Sequence, residues 1–107
     1  MANGLLGKAV SQTNNDVTVY EVPVTAEFAT VTIMVTNTSG SIATVNTYVT
    51  SAVNPTTADL IGFQDELIDL GGSVEFTCMV LSAGEKVVVN ANNDECVIHV
   101  HGLEKAV

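Results

Sequence analysis

Hydrophobic and polar residues alternate one by one along several stretches of this chain, a pattern typical of half-buried β-strands and incompatible with a helix. The clearest case is residues 29–37, where Val31, Ile33 and Val35 are expected on one face and the threonines between them on the other. Similar stretches recur at regular intervals with turn-forming residues between them. They predict strands at residues 17–22, 29–37, 42–50, 73–81 and 96–103, and a nearly all-apolar run predicts another at 86–91. Residues 59–68 fit a helical stripe about as well as a strand, and we interpret them as the seventh strand because the rest of the chain is β.

The polar stretches between the strands predict loops, and the alternation within the later strands predicts which residues face the core. Residues 37–41 and 92–95 are expected to form short hairpin loops. Residues 51–59 are too long for a hairpin and predict a crossover between two sheets. The expected inner positions of the later strands are Val74, Phe76, Cys78 and Val80, followed by Cys96, Ile98 and Val100.

Seven short strands with turn signals between them predict an all-β fold, an antiparallel two-sheet β-sandwich of Ig-like or jelly-roll-like form. A closed barrel is the geometric alternative. Val, Ile and Thr make up 36 of the 107 residues, which favours strands independently of the pattern. Residues 1–16 are small and polar with scattered leucines and predict an N-terminal arm, so that residues 17–107 form a single β-sandwich domain.

The charge balance narrows the possible partners. The chain carries 12 acidic residues against three lysines and no arginine, so its formal net charge is −9. Such a chain repels nucleic-acid phosphates and has few cations to displace their counterions, so we expect no nucleic acid partner. No apolar run approaches the roughly 18 residues that span a bilayer, and the N-terminus lacks the apolar segment of a signal peptide. We therefore expect synthesis in a cytoplasm and no membrane partner.

Few residues in the chain can carry catalytic chemistry. The sequence contains no GxSxG motif, no glycine-rich phosphate loop and no HExxH motif. We expect a protein that is not an enzyme, with no catalytic residue and no cofactor. The acidic group of Asp65, Glu66 and Asp69 lacks the order of a calcium loop and predicts a solvated negative surface.

Two histidines are the best candidates for metal ligands. His99 and His101 are two residues apart on a predicted strand, so both imidazoles project from the same face. They supply half of a zinc site, and no diagnostic spacing supplies the other half. We expect no metal and place both on the solvated or subunit face of the last strand. A zinc ion shared across an oligomer axis and a pH-sensitive contact are the alternatives.

The two cysteines lie in apolar runs. Cys78 and Cys96 are expected to be free thiols buried as small hydrophobic residues. A disulfide between neighbouring strands is an alternative. A metal or catalytic role is another, although neither cysteine belongs to a CxxC pair.

Threonine occupies outward positions where lysine and glutamate usually lie. A sheet face poor in charge loses little hydration energy when a protein covers it, so such a face suits a partner surface. High β-propensity alone also explains the threonines. The residues expected to contact a partner are Leu5, Leu6, Lys8 and Val10 in the arm, and Thr30, Thr32, Thr44 and Tyr48 on the strands.

Several segments together resemble a known class of proteins. The most specific are the step from Tyr20 to Pro23, the turn and strand at residues 82–89, and the ending Gly102-x-Glu104. Around them lie the short start at residues 1–9 and the threonine-valine strands at 29–37 and 42–50. The chain resembles small virion structural proteins of tailed bacteriophages, particularly cyanophage-like ones, that decorate or cement the head.

The resemblance implies a function, a partner and a location. It implies a homo-trimer or other homo-oligomer that is made in the host cytoplasm, binds the major capsid protein and resides on the capsid surface of the virion. The predicted arm would become ordered on binding. A neck, tail or fibre position in the virion is an alternative, and so is a ligand-binding β-sandwich module.

Overall fold

The computed structural model describes residues 3–106, all of which belong to or connect the strands of two sheets. The predicted start at Met1 and Ala2, and the last residue Val107, lie outside the described residues. Each of the seven predicted strands is present, and an eighth precedes them. The strands are β1 (Asn3–Val10), β2 (Asp16–Glu21), β3 (Ala26–Asn37), β4 (Ala43–Thr50), β5 (Leu60–Ile68), β6 (Ser73–Ser82), β7 (Lys86–Ala91) and β8 (Cys96–Ala106).

The eight strands form two antiparallel four-stranded sheets that pack face to face. Sheet 1 has the order β1-β8-β3-β6, and sheet 2 has the order β2-β7-β4-β5. The predicted all-β, two-sheet antiparallel sandwich is confirmed.

The connections differ from the hairpins that the sequence predicts. Residues 37–41 and 92–95 do not join neighbouring strands: they carry the chain from one sheet to the other. Residues 51–59, predicted to cross between sheets, instead join the neighbours β4 and β5 through a 3-10 turn at Thr57–Asp59. Loop length misleads here because facing sheets lie only about 10 Å apart, so a short loop passes between them as easily as along one sheet.

The core lies between the sheets and follows the predicted alternation closely. Val31, Ile33 and Val35 of β3 are fully buried, as are the expected inner residues of β8. In β7, Val87 and Val89 join this core, whereas Val88 is buried on the opposite side of its sheet. The fully buried inner residues of β8 are Cys96, Ile98 and Val100.

A buried polar pair joins the two sheets across the core. A register shift after Thr18 turns Tyr20 of β2 inward. Its hydroxyl donates a hydrogen bond of 2.5 Å to Glu104 Oε2 on β8, and both residues are at least nine-tenths buried. Burial is the main cause that raises the pKa of Tyr20, and the hydrogen bond and negative charge of Glu104 raise it further.

The N-terminal segment is part of the sandwich in this structure. Residues 3–10 were predicted to belong to an arm, but they form β1, an edge strand that pairs with β8 from Asn3 to Val10. A Cβ on Gly7 would lie 2.5 Å from the carbonyl oxygen of Val19, so the glycine lets β1 pack directly on β2. Beyond β1, Ser11 is buried and its amide donates to the Cys96 carbonyl at 2.8 Å.

A β-bulge in β6 reverses the side on which its later residues lie. Val31 pairs with Met79 and Ile33 with Phe76, so β6 has one extra residue opposite Thr32. Cys78 adopts a positive φ of 57° within this bulge. The predicted inner positions of Cys78 and Val80 are therefore wrong: both are exposed, and Met79 and Leu81 face the core instead.

Candidate protein-binding surface

The outward-facing side of sheet 1 carries several exposed hydrophobic side chains in neighbouring rows. We call it the sheet-1 face. Cross-strand pairing places its residues in rows, because paired residues project from the same side of a sheet. Of the eleven large hydrophobic residues that are exposed, five lie on the sheet-1 face, and these are Leu5, Val10, Met34, Val80 and Leu103.

Four rows run across the sheet-1 face from β1 through β8 and β3 to β6. The threonines Thr30, Thr32 and Thr36 of β3 lie half-buried between the apolar side chains, and Val97 lies half-buried at one end. The rows, each in the order β1-β8-β3-β6, are Val10-Val97-Thr36-Ser73, Lys8-His99-Met34-Glu75, Leu5-His101-Thr32 with the β6 bulge, and Asn3-Leu103-Thr30-Val80.

Charged side chains are confined to the borders of the sheet-1 face. Lys8 lies on the edge strand β1, Glu75 lies on the edge strand β6, and Lys105 lies beyond the last row. The centre carries His99 and His101, whose ring centroids are 5.7 Å apart. A centre without Lys, Arg, Asp or Glu, with charged residues at its rim, is the composition of a protein-binding patch.

The outward side of sheet 2 carries a row of polar and acidic residues, beside the exposed Leu67 of β5. Asp16, Asn90 and Asn46 occupy one row across it, and Asp65 lies at the end of that row. The amide nitrogen of Asn90 donates to Asp16 and that of Asn46 donates to Asp65, both at 3.0 Å. Tyr48 lies on the same side, and burial, followed by the charges of Asp16 and Asp65, raises its pKa.

The structure brings together five of the eight residues expected to contact a partner. Leu5, Lys8, Val10, Thr30 and Thr32 all lie on the sheet-1 face.

The other three expected contact residues lie elsewhere. Thr44 and Tyr48 project from the outer side of sheet 2. Leu6 is half-buried and packs against the core, because a register shift between Leu5 and Gly7 turns it inward. Thr47, although a threonine on a strand, is also buried within the sandwich.

Three exposed hydrophobic residues of the sheet-1 face were not among the expected contact residues. Met34 and Leu103 occupy outward positions of the alternation and could have been found from it. Val80 could not, because the bulge at Cys78 that turns it outward has no signal in the pattern.

The histidines and Cys78 lie on the outward side of sheet 1. Among residues 3–106, no group of three His, Cys, Asp or Glu side chains is arranged to hold an ion. His101 and Cys78 line the same shallow depression with Thr32, but they lie on strands separated by β3.

The two cysteines lie in different environments, and both are free thiols. The predicted burial is confirmed for Cys96 and wrong for Cys78, which is exposed. Burial raises the pKa of the Cys96 thiol, although hydrogen bonds with Ser11 and Asn93 oppose the shift. Cys78 is therefore the accessible thiol, and it lies on the sheet-1 face.

Comparisons with protein-family models, with curated proteins and with solved structures found no match to this chain. Within the described range, no helix has the length and hydrophobicity needed to cross a membrane.

Proposed function

We propose that this protein is a non-enzymatic structural subunit of a bacteriophage virion that decorates and cements the capsid exterior. In this proposal the sheet-1 face binds the major capsid protein, and the outer side of sheet 2 faces solvent. The sequence resemblance to head decoration proteins supports the class of particle, and the two-sided character of the sandwich supports the mode of attachment.

The observation that carries the proposal is the number of apolar side chains and the scarcity of charge on the sheet-1 face. It presents five exposed large hydrophobic residues and one acidic residue, Glu75, within its rows. Sheet 2 carries more acids, with Asp16 and Glu21 on β2 and others on β5, beside the exposed Leu67 of β5. A subunit that docks by one side and remains hydrated on the other needs this division, because burying charge is costly and burying apolar area is favourable.

Repetition of the contact would make the attachment strong. A capsid presents the same site many times, so subunits that also touch one another convert weak single contacts into tight binding. Apolar surface contributes about 25 cal/mol for each Å² removed from water, and the sheet-1 face has few charges to offset that gain.

The test uses substitutions that place a charge on the sheet-1 face without disturbing the core. Leu103→Glu and Val80→Glu alter side chains that are 55% and 65% exposed, so both variants are expected to fold. Leu67→Glu is the matched control, because Leu67 is 67% exposed but lies on β5 of sheet 2.

Binding is measured by co-sedimentation with empty capsids of the phage that encodes the protein, and cryo-electron microscopy locates the bound copies. The wild type and Leu67→Glu are expected to bind in a defined copy number, and both sheet-1 variants are expected to lose at least about tenfold in affinity. A wild type that leaves capsids bare, or sheet-1 variants that bind as well as Leu67→Glu, would contradict the proposal. Density at the neck or tail would move the protein to another part of the virion.

A further inference from the structure

We infer that the free protein is a two-fold symmetric dimer in which the sheet-1 face of one copy covers the sheet-1 face of another. An exposed apolar patch of this kind marks an interaction site in soluble proteins. The occupant is a second copy of this chain, because the charges on the face complement those of the same face after a two-fold rotation.

The two complementary charges lie in one row of the sheet-1 face. Lys8 on β1 and Glu75 on β6 occupy the same level of sheet 1 but opposite edges, with His99 and Met34 between them. When two copies face each other across a two-fold axis that runs along the strands between β8 and β3, β1 of each copy lies over β6 of the other. Lys8 of each copy then faces Glu75 of the other copy, which gives two symmetric ion pairs at opposite rims of the interface.

The remaining rows bury apolar groups in the same arrangement. Leu103 lies over Thr30 of the second copy, and Leu5 lies over the bulge that contains Cys78. An axis across the strands would instead place β1 over β1 and β6 over β6, so Lys8 and Glu75, which lie on opposite edge strands, would not meet. The charge pattern therefore selects the axis along the strands. Aligned face-to-face packing of two sheets is a common arrangement of β-proteins.

The area is that of a small interface. Four strands at about 4.8 Å spacing, over residues 97–103 of β8 at about 3.3 Å per residue, form a footprint of about 19 by 23 Å. The two copies together would bury about 900 Å², which lies below the roughly 1,200 Å² where weak, reversible interfaces give way to stable ones. The apolar centre and charged rim match the anatomy of such interfaces.

The dimer is linked to the proposed function because a second copy of the chain and the capsid would both cover the sheet-1 face. A subunit must therefore leave its dimer before it binds a capsid. The dimer would keep the apolar face covered until a capsid competes for it, and the equilibrium between the two occupants would set the apparent capsid affinity.

Charge reversal tests the inference with the full chain in the absence of capsids. Lys8→Glu and Glu75→Lys each place like charges at both rims, and the double variant Lys8→Glu/Glu75→Lys restores opposite charges. Lys86→Glu is the matched control on the outer side of sheet 2. Sedimentation velocity over a wide range of protein concentration measures the dissociation constant of each protein.

We expect a dimer for the wild type and for Lys86→Glu, a dissociation constant at least about tenfold higher for each single variant, and recovery of most of that loss in the double variant. A wild type that sediments as a monomer or a trimer would overturn the inference. Single variants that associate like the wild type, or a double variant no tighter than the single ones, would also overturn it.

Thiol labelling gives a second measurement that does not depend on these variants. Cys78 lies on the sheet-1 face and Cys96 is buried inside the sandwich. A water-soluble thiol reagent should modify wild-type Cys78 more slowly as protein concentration rises, while Cys96 remains protected. A Cys78 rate that is independent of concentration in a protein that dimerises would show that another surface is buried.

The two proposals fail separately. A dimer that forms while capsids remain bare leaves this inference standing and removes the proposed function. Capsid binding by a protein that is monomeric at all concentrations leaves the proposed function standing and removes this inference.

Discussion

At the scale of single residues, one buried hydrogen bond links the two sheets through the core. The Tyr20 hydroxyl donates to Glu104 across the core, and it joins a strand of sheet 2 to a strand of sheet 1. A buried carboxylate that loses a donor bears an uncompensated desolvation cost. No pattern in the sequence indicates this pair, because its members are 84 residues apart and a bulge places Tyr20 inside.

Tyr20→Phe is expected to lower the free energy of unfolding by about 1.5–3 kcal/mol, because it removes a hydrogen bond to a charged group. Tyr48→Phe is the control: Tyr48 is half-buried on the outer side of sheet 2, and its substitution should cost at most about 0.5 kcal/mol. Urea unfolding measures both. Equal losses in the two variants would show that the bond to Glu104 adds nothing specific.

The same tyrosine makes stability depend on alkaline pH. The folded state raises the pKa of Tyr20, so above its usual value near 10 the unfolded chain releases this proton first. The stability that Tyr20 contributes is therefore fully present below pH 10 and decreases as the pH rises further. Melting temperatures recorded from pH 8 upward should fall above pH 10, and the fall should be smaller in Tyr20→Phe. An identical decline in wild type and variant would contradict this assignment.

At the scale of strands, the alternation of hydrophobic and polar residues predicts the strands that bury only one face in the core. The inner residues of β3 and β8 were correctly predicted because their pairing is regular over the core. β1 was not recognised, since Gly4, Gly7 and a register shift interrupt its alternation. The later half of β6 was assigned to the wrong side because one extra residue at Cys78 reverses every position after it.

The contact between β8 and β3 depends on a residue without a side chain. A Cβ on Gly102 would collide with the backbone carbonyl of Thr30 and would lie 2.9 Å from the Val31 Cα. Neither neighbour can move without separating the two central strands of sheet 1.

Gly102→Ala is therefore expected to destabilise the fold by about 1–3 kcal/mol or more. Gly40→Ala is the control, since a Cβ there meets nothing within 4 Å and the change should remain within about 0.5 kcal/mol. Thermal unfolding of both variants tests this difference. A Gly102→Ala protein as stable as Gly40→Ala would mean that β8 can shift away from β3 at little cost.

At the scale of the whole molecule, charge repulsion opposes folding. The net charge is −9, and among residues 3–106 one ion pair joins oppositely charged side chains, Lys105 with Glu27 at 3.9 Å. Both side chains are more than half exposed, so this pair contributes little. Repulsion among the remaining acids is screened by salt.

Adding sodium chloride to a dilute buffer at neutral pH should consequently raise the melting temperature, by about 4–8 °C for each kcal/mol of repulsion removed. Scanning calorimetry at low protein concentration, where association is minimal, measures the change. A melting temperature that falls on addition of salt would indicate that attractive pairs outweigh repulsion in this fold.

The acidic outer side of sheet 2 has a consequence for any particle that carries this protein by its sheet-1 face. Each attached copy would turn the row from Asp16 to Asp65 toward the surrounding fluid. Repeated over a shell, these carboxylates would form an anionic coat that keeps neighbouring particles apart in dilute buffers. Coated shells would migrate faster toward the anode than bare ones, so native gel electrophoresis could count their occupancy.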